Sequence, residues 1–228
     1  ICLLLTPLLS VATIGLAQTT EIHNEFKKYF DEANVQGSFS MYDLKHDAYL
    51  LCNPEQFKQG FTPASTFKIC NSLVGLETGV IEDENFVIKW DGVKREREAW
   101  NHDQDLKTAY KNSTVPYYQE LARRVGGERM KHWLEKTRYG NVDTSGGIDL
   151  FWLRGGMRIS PEQQLDFLKR LFKDELPFSK RSMEIVKKIM IEEETPSYVL
   201  RTKTGWGEMD DISIGWYVGY ITKKDNVH

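Results

Sequence analysis

The chain has 228 residues, 40% of them hydrophobic, which is enough to bury the core of one large domain or two small lobes. Its net charge is −3, and lysine and arginine are spread along the sequence without the basic cluster typical of nucleic-acid binding. The five histidines and three cysteines have no metal-ligand spacing, so the sequence predicts no metal cofactor.

Residues 1–17 form an almost uncharged apolar run that ends in Gly15 and Ala17, the small residues of a signal-peptidase site. We predict a partial signal peptide, cleavage before Gln18, export to the periplasm, and no membrane attachment after cleavage. A membrane anchor suits the run less well, because the run is short and carries polar residues and a proline. Since methionine and basic residues are missing at the start, we expect the sequence to begin inside its gene. Residues 18–228 are predicted to form a single domain.

Hydrophobic periodicity predicts an amphipathic helix over 20–33, with Ile22, Phe26, Tyr29 and Phe30 on one face. Early strands, a helical middle and late strands indicate an α+β fold, in which helices flank an antiparallel sheet and a helical lobe is inserted. The other predicted elements are, in chain order, strands within 37–51 around a turn at 45–47, a helix from 65 to 78 ended by Gly79, two helices over 116–138 broken at Gly126-Gly127, a helix from Ser160 to about 172, a helix from Ser179 to about 191, and strands over 198–204 and 212–221.

Ser65 and Lys68 stand three residues apart where a helix is predicted to begin, so their side chains share one helix face. Thr62 is predicted as the N-cap and Pro63 as the first helical residue. A serine becomes a strong nucleophile when a neighbouring base takes its proton, and a neutral amine can do this. The Ser65 backbone N–H would lie at the positive end of the helix, where it can bind an oxyanion. Taken alone, the spacing fits equally well an ordinary helix start followed by a surface lysine.

Three further motifs follow in order: Ser-x-Val at 113–115, Tyr-Gly-Asn at 139–141 and Lys-Thr-Gly at 203–205. Ser-x-x-Lys and Lys-Thr-Gly also occur in class A β-lactamases and penicillin-binding proteins, which have Ser-Asp-Asn between them. With Ser-x-Val and Tyr-Gly-Asn instead, and with FWLRGGMRISP at 151–161, the chain from about residue 37 onwards resembles the class D, oxacillinase-type serine β-lactamases. The resemblance implies a two-lobed fold with the active site between the lobes, and hydrolysis of small-molecule β-lactams through an acyl-serine intermediate.

The resemblance also implies roles for individual residues. Ser65 is the expected nucleophile, Ser113 relays a proton to the leaving nitrogen, and Lys68 carries a carboxyl group that comes from carbon dioxide. Val115 would cover this carbamate and Trp152 would hydrogen-bond it. The sequence gives two supporting arguments: a lysine, with its usual pKa of ~10.4, needs an apolar pocket to become a neutral base, and no Glu-x-x-Leu-Asn segment of the class A type occurs between 139 and 203.

Substrate binding is expected at the Lys-Thr-Gly motif. Lys203 and Thr204 would bind the substrate carboxylate, and Gly205 would let the strand approach the ligand closely. The Trp206 backbone N–H would be the second oxyanion donor. In the family, a carboxylate-binding arginine normally follows the strand at 216–219, and no residue here is assigned that role. We therefore expect the closing strand and the C-terminal helix to be missing from this sequence.

Several of these residues also have plain structural interpretations. Ser113 fits an ordinary loop serine, Val115 a core valine, and Trp152 a packed core indole. Tyr139 and Asn141 either shape the cleft or serve packing, and the sequence does not decide between the two.

Two other functions stay open: a penicillin-binding transpeptidase or carboxypeptidase, and a β-lactam sensor that stays acylated. Slow deacylation by water would distinguish both from a hydrolase. The sequence predicts neither the substrate profile nor the oligomeric state. Cys52 and Cys70 would remain after signal cleavage, and we predict two buried thiols, because their spacing alone does not provide the geometry of a disulfide.

Overall fold

The first sheet is built from the N-terminal part of the chain. The structure is a computed structural model that describes residues 18–228, so the predicted signal peptide lies outside the described residues. Strands β1 (Thr19–Ile22), β2 (Phe39–Asp43) and β3 (Ala48–Cys52) pair in the order β1-β3-β2. Strand β2 is antiparallel to β3 as expected, whereas β1 is parallel to it.

Strand β1 corrects the helix predicted over 20–33. Helical structure is confined to a 3₁₀ turn at Asn24–Phe26 and helix α1 at Lys27–Glu32. The apolar spacing is helical, but the backbone of Thr19–Ile22 forms a ladder with β3 instead, and this leaves the Ile22 side chain 48% exposed. Pairing with a neighbouring strand has therefore prevailed over local periodicity.

The second sheet is fully antiparallel and consists of β4 (Ile191–Glu194), β5 (Tyr198–Met209) and β6 (Ile212–Lys223), in the order β4-β5-β6. Strand β4 was not predicted. Strand β5 is longer than the predicted 198–204, because β5 and β6 stay paired up to a two-residue turn. Asp210 and Asp211 form this turn with φ of 51° and 63°, a conformation that aspartate tolerates and that suits tight hairpins.

The segment after β6 joins the two sheets. Lys223 N donates to Asn226 O (2.8 Å), and Val227 forms a β-bridge with Thr222, as expected for a turn followed by an extended residue. Leu44 N, just after β2, donates to Val227 O (3.0 Å). Val227 therefore contacts the last strand of the second sheet and the end of β2 in the first.

A helix at the centre of the molecule begins at the Ser-x-x-Lys motif. After the short helix α2 (Pro54–Phe57), a 3₁₀ turn at Ala64–Phe67 leads directly into α3 (Lys68–Glu77). The expected N-cap at Thr62 is wrong, because the Thr62 hydroxyl donates to Trp152 O (3.3 Å), and Pro63 occupies the cap position. The predicted helix end is confirmed, with Gly79 in a left-handed conformation (φ 67°).

The helical lobe packs around α3. Gly126, with φ of 82°, separates two of its helices, as predicted, and Ser160 starts another with a complete capping box. Among residues 18–228 no helix is long and apolar enough to cross a membrane. The predicted α+β class is confirmed. The remaining helices are α4 (Leu106–Lys111), α5 (Val115–Val125), α6 (Gly127–Thr137), α7 (Pro161–Phe172) and α8 (Lys180–Ile189).

Candidate active site

Ser65 and Lys68 meet at the start of α3. The Lys68 Nζ atom lies 2.8 Å from Ser65 Oγ, which is hydrogen-bond distance. Ser65 belongs to the 3₁₀ turn, where residues i and i+3 lie directly above one another, so the turn itself aligns the two side chains. Ser65 is 8% exposed, and Lys68 is completely buried. The hydroxyl can therefore be reached from solvent while the amine beneath it cannot.

Burial determines the charge state of Lys68. It lowers the pKa of the Lys68 amine well below its usual value, and the positive charges of Lys203 and Arg97 lower it further. Within the described part of the chain no carboxylate forms an ion pair with this amine, and its close ring neighbour is Tyr118, 5.2 Å from Nζ to the ring centre. Burial therefore shifts the equilibrium of Lys68 towards the neutral amine, which is the form that a base requires.

Aromatic side chains form the floor beneath the nucleophile turn. Phe67 packs against the rings of Tyr139 (5.5 Å), Phe151 (5.1 Å) and Trp152 (5.1 Å). Ala64 N donates to the Trp152 carbonyl (3.0 Å), which ties this tryptophan to the turn. The Trp152 Nε1 atom is buried and has no hydrogen-bond partner among the described residues. An unpaired buried N–H is costly, so this group indicates an acceptor that the polypeptide itself does not supply.

Ser113 lies in the connection between α4 and α5, in a left-handed conformation with φ of 52°. Such backbone strain is uncommon for serine and is often found at functional sites. The Ser113 hydroxyl has no hydrogen bond to another residue of the described part. Tyr110, three residues earlier, donates through its hydroxyl to Thr202 O (3.0 Å), which fixes this connection next to β5. Val115, the first residue of α5, is half-buried.

The Lys-Thr-Gly motif lies on β5. The Lys203 amine is buried, lies 5.6 Å from the centre of the Tyr110 ring and donates to Thr204 O (3.0 Å). Burial lowers the pKa of Lys203 to about 8, the charge of Glu192 opposes this shift, and Arg97 adds to it. Lys203 is thus mostly cationic at neutral pH. The Trp206 side chain is 67% exposed on the same strand.

Gly205 allows β5 to contact the nucleophile turn directly. A Cβ atom at Gly205 would lie 3.0 Å from Thr66 Cγ2 and 3.1 Å from Pro63 O. We expected this glycine to admit the ligand; instead, the contact it makes possible is between the strand and the turn that carries Ser65. The distance from the motif to the nucleophile is therefore set by the lack of a side chain.

The contacts that Tyr139 and Asn141 make with other residues agree with a structural role, one of the two interpretations that the sequence left open. Tyr139 is buried behind the turn, between Phe67 and Phe167. Asn141 donates to Gly156 O (2.9 Å) and accepts from Arg158 N (2.9 Å), so it braces the segment after Trp152.

Gln164 is a buried residue near the site that the sequence analysis missed. Its Nε2 donates to Thr66 Oγ1 (2.7 Å), and Thr66 in turn donates to Pro63 O (2.7 Å). A signal was available, because Gln164 is a polar residue with the spacing of the apolar face of α7. Arg97, which affects both lysines, was missed as well.

The remaining reactive groups to consider are the two cysteine thiols and the side chains that could bind a metal ion. Cys70 on α3 and Cys52 on β3 are both buried and unbonded, and burial raises the pKa of the Cys70 thiol to about 12. Residues 18–228 bring no three His, Cys, Asp or Glu side chains into a cluster able to hold a metal ion.

Comparison with known proteins defines the class of this site. Residues 23–228 match the family model described as the penicillin binding protein transpeptidase domain. The chain is 47% identical over 200 residues to the probable β-lactamase YbxI of Bacillus subtilis (88% of this chain, 72% of the relative). It is 42% identical over 213 residues to β-lactamase OXA-48 of Klebsiella pneumoniae (93% of this chain, 80% of the relative).

Solved structures agree. The class D β-lactamase from Sebaldella termitidis superposes with a TM-score of 0.88 at 42% identity, over 92% of this chain and 84% of that one. The class D β-lactamase YbXI from Nostoc gives 0.85 at 46% identity, over 87% and 84%. The chain belongs to the class D serine β-lactamases.

The close contact at Gly205 predicts that Gly205→Ala pushes β5 away from the nucleophile turn, because two of the nearest atoms are backbone atoms of Pro63 and Thr66. We expect a loss of about 1–3 kcal/mol in the free energy of unfolding, measured by urea denaturation. Gly215→Ala, on the paired strand β6, is the matched control: its Cβ meets nothing within 4 Å, and a change within about 0.5 kcal/mol is expected. Equal effects of the two substitutions would contradict this role of Gly205.

Proposed function

We propose that this enzyme hydrolyses β-lactams through an acyl-Ser65 intermediate, with carboxylated Lys68 as the base for both half-reactions. One observation carries the proposal: a fully buried lysine amine, without a carboxylate partner in the described part of the chain, lies 2.8 Å from Ser65 Oγ. Burial lowers the pKa of this amine and so favours the neutral form, which can act as a base, over the ammonium ion.

Acylation follows from the positions of the side chains. Ser65 Oγ attacks the lactam carbonyl and its proton passes to the base at Lys68, while the backbone N–H groups of Ser65 and Trp206 bind the oxyanion. The C–N bond of the ring then breaks, Ser113 delivers its proton to the leaving nitrogen, and the base at Lys68 returns the proton taken from Ser65 to Ser113, which leaves the base free for deacylation. Lys203 and Thr204 hold the substrate carboxylate through charge and a hydroxyl.

The carbamate proposal rests on two features of the floor of the site. Only a neutral amine combines with carbon dioxide, and the environment of Lys68 favours the neutral form. The buried Trp152 N–H lacks a partner, and a carboxylate oxygen on Lys68 would be a suitable acceptor. The added group supplies a base of lower pKa than a free amine. In deacylation this base takes a proton from water, the hydroxyl attacks the ester carbonyl, and Ser65 Oγ is released and reprotonated.

The acyl-serine route predicts that wild-type protein turns over nitrocefin and that Ser65→Ala does not, because the attacking oxygen is gone. Intact mass after exposure to benzylpenicillin should show no adduct on Ser65→Ala. The exposed Ser197→Ala is the control for loss of a hydroxyl and should behave as wild type. A penicilloyl adduct on Ser65→Ala would overturn the assignment, whereas a wild-type adduct that persists for hours would indicate a penicillin-binding protein or a sensor.

The carbamate predicts that activity depends on carbon dioxide. Turnover should fall in bicarbonate-depleted buffer and as the pH is lowered, because protonation of Lys68 reverses carboxylation, and bicarbonate should restore it. Trp152→Phe keeps an aromatic ring but removes the N–H, so it should need more bicarbonate and deacylate about 10²–10⁴-fold more slowly without it. Trp133→Phe, at a tryptophan stacked on Phe178, is the matched control. Equal rates at all bicarbonate levels would exclude the carbamate.

The pKa of Lys203 predicts the alkaline limb of the pH profile. Lys203 is cationic below about 8 and neutral above it, so kcat/KM for an anionic substrate should fall as the pH rises through that value. The negative charge of Glu192 raises this pKa, hence Glu192→Gln should move the limb to lower pH. Glu193→Gln, on the same strand, is the control and should leave the limb in place. A limb that neither variant moves would contradict the role of Lys203.

A further inference from the structure

Arg97 is an exposed arginine that the proposed mechanism does not use. It directly precedes a one-turn 3₁₀ helix at Glu98–Trp100, and its guanidinium lies 5.1 Å from the centre of the Trp100 ring. Within the described part of the chain it forms no ion pair. Its neighbour Arg95, by contrast, is paired with Asp91 at 2.6 Å. Arg97 is thus a free cation held against an aromatic ring.

The segment that carries Arg97 is fixed to the connection that carries Ser113. Trp100 Nε1 donates to Asn112 O (3.1 Å), directly before Ser113. Thr114 Oγ1, directly after Ser113, donates to Gln104 Oε1 (2.7 Å), and the Gln104 amide donates to Ala99 O. The Trp100 ring is therefore attached to the residue before Ser113, and its neighbour Ala99 is linked through Gln104 to the residue after it.

The effect of Arg97 on the two active-site lysines agrees with a position of Arg97 near Ser113. The positive charge of Arg97 contributes to the lowered pKa of both Lys203 and Lys68, so its field reaches the two active-site amines. Glu96 and Glu98 flank Arg97 in the sequence, but neither forms an ion pair with it in the described part of the chain. Glu98 instead accepts a hydrogen bond from Asn101 (3.3 Å). Lys94 is a second exposed cation of the same segment, and its charge does not contribute to the pKa shift of either amine.

We propose that Arg97 binds the ring carboxylate of the β-lactam from the helical-lobe side of the cleft, opposite Lys203. The inference rests on the proposed function for the substrate and for the role of Ser113. In penicillins the carboxylate is attached to the carbon next to the ring nitrogen. A substrate whose nitrogen receives a proton from Ser113 therefore holds its carboxylate close to Ser113. Arg97 is linked to this connection through Trp100 and Asn112, and the Lys203 amine lies 5.6 Å from the ring centre of Tyr110, whose carbonyl accepts from Ser113 N.

A guanidinium stacked on an indole is well suited to this task. The stacking limits its motion while both N–H edges stay free for a carboxylate. Because Arg97 is exposed, water and salt screen its charge, so its effect on affinity should be moderate and should depend on ionic strength.

The test separates binding from chemistry. In a Ser65→Ala background, the dissociation constants of benzylpenicillin and of its uncharged methyl ester are measured by calorimetry, with and without Arg97→Gln. We expect Arg97→Gln to weaken benzylpenicillin binding about 3- to 10-fold and to leave the ester unchanged, and 0.5 M salt should shrink this difference. Lys94→Gln removes one charge from the same segment as the matched control and should affect neither ligand.

Each other outcome is decisive. Equal losses for acid and ester, or equal losses in Arg97→Gln and Lys94→Gln, would overturn the proposal in favour of a packing role or a diffuse field. A loss seen only with carbenicillin, which has a second carboxylate on its side chain, would move the contact away from the ring and also overturn it. The proposed function fails separately if the Ser65→Ala variants bind benzylpenicillin in the expected pattern but the protein with Ser65 intact is never acylated.

Discussion

The site depends on keeping one lysine amine away from water and from any negative charge. An ammonium ion buried without a partner is unfavourable by several kcal/mol, so burial lowers the pKa of Lys68 and favours its neutral form. Lys203 opposes protonation further, although its own cationic form remains available for an anionic substrate. The pKa values of the two lysines of the cleft are thus lowered to different extents. Their different degrees of burial, and not their sequence motifs, produce this difference.

Packing makes that burial possible. Lys68 begins α3, and most residues of this helix are buried among the helices of the lobe. Phe67 and Trp152 close the site from below, and β5 closes it from the side through the glycine contact with the nucleophile turn. Gln164 adds a polar link between α7 and that turn through Thr66. Helix, floor and strand are therefore held by contacts that all converge on the four residues from Ala64 to Phe67.

The sequence was most informative where residue type and backbone geometry agree. Glycines and caps defined the helices at Gly79, Gly126 and Ser160, and the Ser-x-x-Lys spacing located the reactive pair. It was least informative where a partner strand decides: Thr19–Ile22 has helical spacing but pairs with β3, and the hairpin of β5 and β6 is longer than its turn signals indicate. The contacts of Tyr139 and Asn141, and the link from Trp100 beside Arg97 to Asn112, join residues more than ten positions apart, which no local pattern encodes.

The pairing around Val227 has a consequence for folding. Asn226 donates to Asp43 (2.8 Å) and accepts from Lys45 N (3.0 Å), so the first sheet meets the second through residues more than 180 positions apart. Contacts between residues so far apart form slowly, because the entropy of closing a long loop is lost before any of these contacts can stabilise the chain. The hairpin of β5 and β6 is local by comparison and can form early. We therefore expect the two sheets to dock late, with the end of β2 at Leu44 unpaired until then and open to association with other chains.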